Sequence, residues 1–343
     1  MVAVDGGGLP NDPDRASTLI QAMTSLGYRA MAVGEPDKRV LPIVRPIAER
    51  NGIALLAWPV PGDADLAGLQ GETVLRVEGA RVAVVTDGTG GRADRSAFVE
   101  SARDAALQRA RTQADLVVYI THRPRAEVLS MVPQLGSLVD IVIRADALST
   151  DPIEGEHIGT TLVLGTAPRA QQLGVVRVRF LGRHVAELQD RSVVLDTAVP
   201  DDSEMMAFVT QQRRAAAATI RRVTATTSLV STTECAACHA AQMAKWRTTH
   251  HAHALESLKE SELIDECLVC HSSSYRQRQV LAINGPYVGV ECVTCHLGAL
   301  QHTRNPSLPA NLKPLPSEMC LQCHDAKHDP KFDFKTYWPQ IVH

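Results

Sequence analysis

Residues 1–200 alternate short apolar runs with segments whose apolar positions recur every three or four residues. A short apolar run bounded by turn formers predicts a buried strand, and the three-to-four repeat predicts an amphipathic helix. MVAVDG, YRAMAVG, IALLAWPV, DLVVYITH and VDIVIRAD are of the first kind. RASTLIQAMTSLG, which stops at Gly27, LPIVRPIAERNG, DRSAFVESARDAALQRARTQA and RAEVLSMVPQLG are of the second. TVLRVEGARVAVVTDG predicts two strands joined at Gly79, and TLVLGTA, LGVVRVRFLG, HVAELQD and SVVLD follow as closely spaced strands. An α/β alternation thus passes into a β-rich end, which predicts a layered α/β domain over residues 1–200. SEMMAFVTQQRRAAAATIRRV is rich in strong helix formers. With the threonine-rich stretch after it, it makes a helix and linker over 201–230. Beyond that the periodicity fades. Residues 231–343 are rich in Pro, His, Cys and polar side chains, with few long apolar runs. Such a segment cannot build a large interior from side chains alone, so something else must fill it.

Composition sharpens that boundary. All 8 cysteines of the 343-residue chain lie after residue 234, and of its 13 histidines only His122, His157 and His184 precede them. The formal net charge of −3 gives no electrostatic appetite for nucleic acid or acidic lipid. No run of about 18 apolar residues occurs, so no transmembrane helix is expected.

The cysteines fall into four identical patterns, ECAACH, CLVCH, CVTCH and CLQCH, each a CxxCH. Two cysteines at this spacing reach both vinyl groups of one haem, and the histidine that follows lies under the iron. Zinc sites use paired CxxC motifs but have no need of a histidine directly after each second cysteine. Four CxxC pairs also make a poor disulfide framework. Four covalent haems c are therefore expected, held by Cys235 and Cys238, Cys267 and Cys270, Cys292 and Cys295, and Cys320 and Cys323. The proximal ligands are His239, His271, His296 and His324. A haem is a large, mostly apolar plate, which supplies the missing interior. Six further histidines, His250, His251, His253, His302, His328 and His343, exceed the number needed for the sixth iron positions. Met243 and Met319 are candidate axial ligands of another kind. The histidine supply favours bis-histidine iron at most or all haems, suited to passing electrons.

From about residue 230 onward the chain resembles the c-554-type multihaem cytochromes. ECAACHAAQMAKWRTTHHAHALESL resembles that family's opening, where a CxxCH is followed by a tryptophan and a Ser/Thr-x-His-Ala-x-Ala segment. The resemblance makes His251 a distal ligand and His253, two residues on, a second candidate. GVECVTCHLGALQH resembles the segment in which a histidine follows the motif by six residues, which is His302 here. The family's glycine after that motif is replaced by Leu297, with Gly298 next. The closing CLQCHDAKHDPKFDFKTYWPQIVH makes the terminal His343 a further distal candidate. Which distal histidine serves which haem cannot be read from spacing. No CxxCK, the mark of a catalytic haem in some nitrite reductases, is present.

Residues 1–200 resemble the metallophosphatase domain of the 5′-nucleotidase type, on VDGGGLPNDPDRASTLIQAMTSLGYRAMAVGEPD, VVYITHRPRAEV and VDIVIRADALS. That family binds two metal ions, which hold a phosphate and generate the attacking hydroxide. Asp5 and His122 match ligand positions. The second aspartate of the first block is Gly8, the Asn-His pair is Glu35 and Pro36, and the Gly-His-x-His block is Arg144, Ala145, Asp146 and Ala147. The expectation is an inactive scaffold lacking its first strand, which would lie upstream of residue 1. The whole then reads as a layered α/β, metallophosphatase-like domain joined to a haem-cored cytochrome c domain with little regular secondary structure. Haem attachment happens outside the cytoplasm, so a periplasmic or extracellular protein is expected, with an export signal not contained in this chain. Its expected partners are redox proteins, a membrane-bound electron-transfer complex, or further copies of itself in an oligomer or filament. Two rival functions are a multihaem reductase with one open haem and an active phosphoesterase fused to a cytochrome.

Overall fold

The computed structural model describes residues 1–60, 62–88, 97–145, 155–166, 172–196, 198–230, 232–296, 299–307, 317–325 and 328–342. The chain divides into two compact units, Met1–Asp202 and Ser203–His343.

The first unit opens with β1 (Ala3–Asp5), α1 (Pro13–Ser25), β2 (Tyr28–Ala32), α2 (Leu41–Arg50) and β3 (Ala54–Leu56). It continues with β4 (Glu72–Val77), β5 (Ala80–Thr86), α3 (Ala97–Gln113), β6 (Leu116–Thr121), α4 (Arg125–Leu135) and β7 (Ile141–Arg144). β8 (Glu156–Ile158), β9 (Thr161–Gly165) and a hairpin of β10 (Gln172–Leu181) and β11 (His184–Val194) complete it. The stretch expected as two strands, HVAELQD and SVVLD, is thus one strand, because each of its residues from His184 to Val194 finds a partner on β10 or follows the ladder's single irregularity near Phe180. Among the described residues β1, β2 and β3 form a parallel sheet, and a six-stranded sheet runs β4-β5-β6-β7-β9-β8. Its members β5, β6, β7 and β9 are parallel.

Strand alternation dictates how these sheets stack, since successive side chains point to opposite faces. On β6, Leu116, Val118 and Ile120 meet Ala30 and Ala32 of β2 in one buried cluster. Val117 and Tyr119 meet Ala106, Leu107 and Ala110 of α3 and Val128 and Val132 of α4 in another. On β2 the alternate residue Met31 turns the other way, to Ala16 and Ile20 of α1 and Val44 of α2. The result is four layers, helix–sheet–sheet–helix. Val176, Val178, Phe180, Val185 and Leu188 of the hairpin join the middle cluster. α1 starts where sequence chemistry says it should. The Asp12 side chain accepts the Arg15 N–H at 2.9 Å and Pro13 follows at the first helical position.

The second unit begins with α5 (Ser203–Thr219) and β12 (Arg222–Thr224). Then come short helices: α6 (Thr232–Ala236), α7 (Ala240–Trp246), α8 (Asp265–His271) and α9 (Ser273–Arg278). After β13 (Leu281–Ile283), which pairs in parallel with β12, follow α10 (Cys292–Cys295), α11 (Ala299–Arg304), α12 (Ser317–Cys320) and α13 (Phe334–Ile341). Its buried apolar clusters are small. One gathers Met243, Trp246, Ala252 and Tyr287, and another Leu268, Tyr275 and Leu281. Neither amounts to the core that a unit of this length needs.

Candidate functional site

In the first unit the residues read as metal-ligand positions lie at the carboxyl ends of parallel strands, where open α/β sheets place their binding crevices. Asp5 ends β1, and His122 follows β6. The crevice between them is filled by the chain itself. Asp37, fully buried, accepts the N–H groups of Leu9 at 2.6 Å, Gly34 at 2.7 Å and Gly8 at 3.1 Å. This draws the Gly6–Leu9 loop into the crevice. A side chain on Gly6 would collide with Ala145, whose Cβ lies 2.6 Å from the position a Cβ would take. Gly7 has φ +94° and would press on the Ala32 carbonyl, so only glycine suits both.

His122 is equally committed. Its Nε2 lies 2.8 Å from the Gly6 carbonyl oxygen and its Nδ1 3.1 Å from that of Gly88. A ring whose two nitrogens both face carbonyl oxygens offers no open lone pair to a cation. Asp5 accepts the Gly7 N–H at 2.8 Å, and burial pushes its carboxyl up, with Asp37 adding to the rise. Asp87 is taken by Thr121 Oγ1 at 2.8 Å and Arg123 Nε at 2.6 Å. Among the described residues no group of three or more His, Cys, Asp or Glu is placed to hold a metal ion. Asp146 and Ala147 lie outside the described residues.

In the second unit each CxxCH is wound so that the cysteine and the histidine share a face. The N–H of His239 reaches the Cys235 carbonyl at 2.9 Å, that of His296 the Cys292 carbonyl at 2.8 Å, and that of His324 the Cys320 carbonyl at 2.9 Å. A bond between residues four apart stacks their side chains one turn above each other. The second motif lies within α8. The motifs also meet one another. Cys235 touches Cys292, Cys270 touches Cys323, and Cys295 lies beside Cys320 and Cys323.

Two pairs of histidine rings face each other across a gap. His239 and His302 have ring centroids 6.3 Å apart, and His251 and His324 6.1 Å apart. The rings are tilted by 48° and 57°, and both separations match what one metal ion bound by a nitrogen from each ring at about 2 Å would need. Two of the CxxCH histidines are held through one ring nitrogen, as metal-bound imidazoles usually are. His324 Nδ1 lies 2.8 Å from Asp329 Oδ2, and His271 Nδ1 lies 2.8 Å from the Ala254 carbonyl oxygen. Phe332 stacks on His324 at 4.7 Å and Tyr337 meets it edge-on. Burial, reinforced by His324 and His250, pushes His251 toward its neutral, ligating form.

The other candidates are placed differently. His253 is exposed, its Nδ1 3.1 Å from Glu256 and its Nε2 3.1 Å from the Arg247 carbonyl oxygen. His328 is exposed beside Asp325 at 2.9 Å. Met243 is packed in the core against Trp246 and Tyr287. His343, Leu297 and Gly298 lie outside the described residues.

Known proteins resemble each unit separately. Residues 234–297 match the family cytochrome c554 and c-prime. That span holds three of the four CxxCH motifs, and the family binds haem c, which the donor set and the facing rings fit. Solved structures resemble the N-terminal part. The sulfate thiohydrolase SoxB of Thermus thermophilus, in complex with glycerol, superposes with a TM-score of 0.51 at 17% identity over 62% of this chain and 42% of its own. A 5′-nucleotidase precursor from Thermus thermophilus gives 0.50 at 15% identity, over 65% of this chain and 51% of its own. This chain therefore spans about half or less of those proteins, and the likeness is one of fold. The N-terminal unit has the metallophosphatase-type α/β architecture. No curated protein matches the chain. No helix among the described residues is long and apolar enough to cross a membrane.

Proposed function

We propose that this chain is an exported tetrahaem c-type cytochrome that relays electrons, with a metallophosphatase-type unit retained as a scaffold. The observation that carries it is the two pairs of neighbouring histidine rings, each joining a CxxCH histidine to one from elsewhere in the chain. On this reading His239 and His302 ligate one iron and His324 and His251 another. The irons of His271 and His296 draw on His343, or on His253 once its contacts to Glu256 and Arg247 are released. When bound, each haem supplies a one-electron ferric/ferrous couple. The chain's own residues anchor it through two thioethers, orient its ligands through Asp329 and the Ala254 carbonyl, and shield it with Phe332 and Tyr337. Meeting of the first motif with the third, and of the second with the fourth, supports close packing of the four cofactors, which a relay needs.

The filled crevice supports a scaffold with no phosphoesterase chemistry, free to dock a redox partner, a membrane-bound electron-transfer complex or another copy. The periplasm or cell surface is the compartment in which such cofactors are attached. Protein matured in a host able to attach haem c should gain the mass of four haems and show c-type bands on reduction. His251→Ala should convert one low-spin haem to high-spin, and His302→Ala a different one. A colourless protein, or unaltered spectra in both variants, refutes the assignment. Strong carbon monoxide binding by the reduced wild type would favour a reductase with an open haem instead.

A further inference from the structure

Glu291 stands immediately before Cys292, and nothing in haem attachment requires an acid there. It is nevertheless buried, with 1% of its surface exposed. Its Oε2 accepts from Ser228 Oγ at 2.5 Å. The Ser228 oxygen takes the Val230 N–H at 3.0 Å, which leaves its own proton aimed at the carboxyl. The Thr232 hydroxyl lies against the same carboxyl. Glu291 Oε1 is shielded from solvent and has no hydrogen-bond partner. The side chain is held there from behind, because the Glu291 N–H donates to Ser273 Oγ at 2.7 Å and that hydroxyl meets Thr294 Oγ1 at 2.5 Å.

A carboxylate in this position has one hydroxyl, that of Ser228, for a hydrogen-bond partner and, among the described residues, no cation. One oxygen is left bare, a costly state for a charge and an easy one for a neutral acid. The groups facing it are few. The turn at 228–230 offers Ser228. α6 offers Thr232, Cys235 and the exposed Glu234, a charge of the same sign. α9 offers Ser273, and its own helix α10 offers Cys292. Cys235 and Cys292 both feel the Glu291 charge. With haem attached their sulfurs are thioethers, which do not titrate, and the charge that then varies nearby is that of the cofactors they anchor.

We propose that Glu291 is a proton-binding site coupled to electron arrival at the haems anchored by the first and third motifs. The inference rests on the haem reading given above. An electron from the donor takes iron from ferric to ferrous. The carboxylate takes one proton from solvent and becomes a carboxylic acid, so the charge of the pair is unchanged. Burial already pushes the Glu291 carboxyl up, toward the neutral acid.

The test is a dithionite titration of the full haem-loaded protein over a series of pH values, followed by optical spectra. At least one midpoint potential should fall tenfold in equilibrium constant per pH unit, about 59 mV for one electron, across a window above the ordinary carboxyl range. Glu291→Gln should flatten that dependence while keeping the haem content. Ser228→Ala, which removes a donor to the charged form, should move the window to higher pH. Potentials independent of pH in the wild type, or an unchanged slope in Glu291→Gln, overturn the proposal. Should Glu291→Gln fail to mature, an unmoved window in Ser228→Ala overturns it. A protein without c-type bands would instead remove the haem reading on which it stands.

Discussion

Asp37 to Asn is a nearly isosteric change at a side chain with no exposed surface. In the wild type both carboxylate oxygens accept short N–H bonds, Oδ1 from Leu9 and Oδ2 from Gly34, with Gly8 shared between them. An amide has one acceptor and one donor end. Whichever way it lies, a buried N–H faces another N–H, which forfeits one charge-assisted bond of about 1.5–3 kcal/mol. The bond that survives becomes neutral and about half as strong. The sum is about 2–4.5 kcal/mol, and Asp37→Ala should cost more, since the buried N–H groups of Leu9 and Gly34 are then both left without their acceptor. Urea unfolding followed by circular dichroism reads this directly, and fluorescence of Trp58, which lies in the first unit and donates to the Thr86 carbonyl, localises it. Amide exchange at Gly8, Leu9 and Gly34 should accelerate in the same variant. A loss below about 1 kcal/mol with unchanged exchange would mean that Asp37 does not hold the loop, and the account of the filled crevice would fail with it.

Other expectations follow from the same contacts. Asp5→Asn should stabilise the protein at neutral pH. The folded carboxyl is raised above its unfolded value by burial, so wild-type stability falls as pH rises through that interval, and the advantage of the variant should vanish near about pH 4, where the unfolded group takes up its proton. On the proposed haem reading, Asp329→Asn should raise the potential of the cofactor held by His324, by an amount on the order of 59 mV if the equilibrium moves tenfold, because the imidazole loses the carboxylate that makes it a stronger donor. Manganese should neither raise the melting temperature nor support hydrolysis of a nucleotide. A site filled at one hundred times its Kd would add about 2.7 kcal/mol, so a clear upward shift would contradict the reading of the crevice.

Much of the fold was legible because periodicity is local. DLVVYITH and VDIVIRAD contain β6 and β7, and the long amphipathic run ending at Gln113 is α3. The four CxxCH motifs were legible because attachment chemistry demands fixed spacing along the chain. The histidine pairings were not. His239 meets His302 and His324 meets His251 across long stretches of chain, and nothing in the distance along a sequence encodes a distance in space. Neighbouring histidines behave differently for the same reason: His251 turns toward His324, while His253 is spent on Glu256 and a carbonyl. Asp37 and Glu291 escaped notice because each looks like an ordinary surface acid until packing buries it.

The close approach of Gly6 to Ala145 bears on whether metal-binding side chains can be built into this crevice. On the resemblance read from the sequence Ala145 stands at a histidine position, and its methyl already rests against the loop. Reinstating that imidazole by mutation would drive it into main chain, and freeing the main chain means severing the grip of Asp37. Each repair taken singly is therefore harmful before it is useful. The packing works like a ratchet, and a designer wishing to build a metal site here must change the loop, the acid and the ligands together.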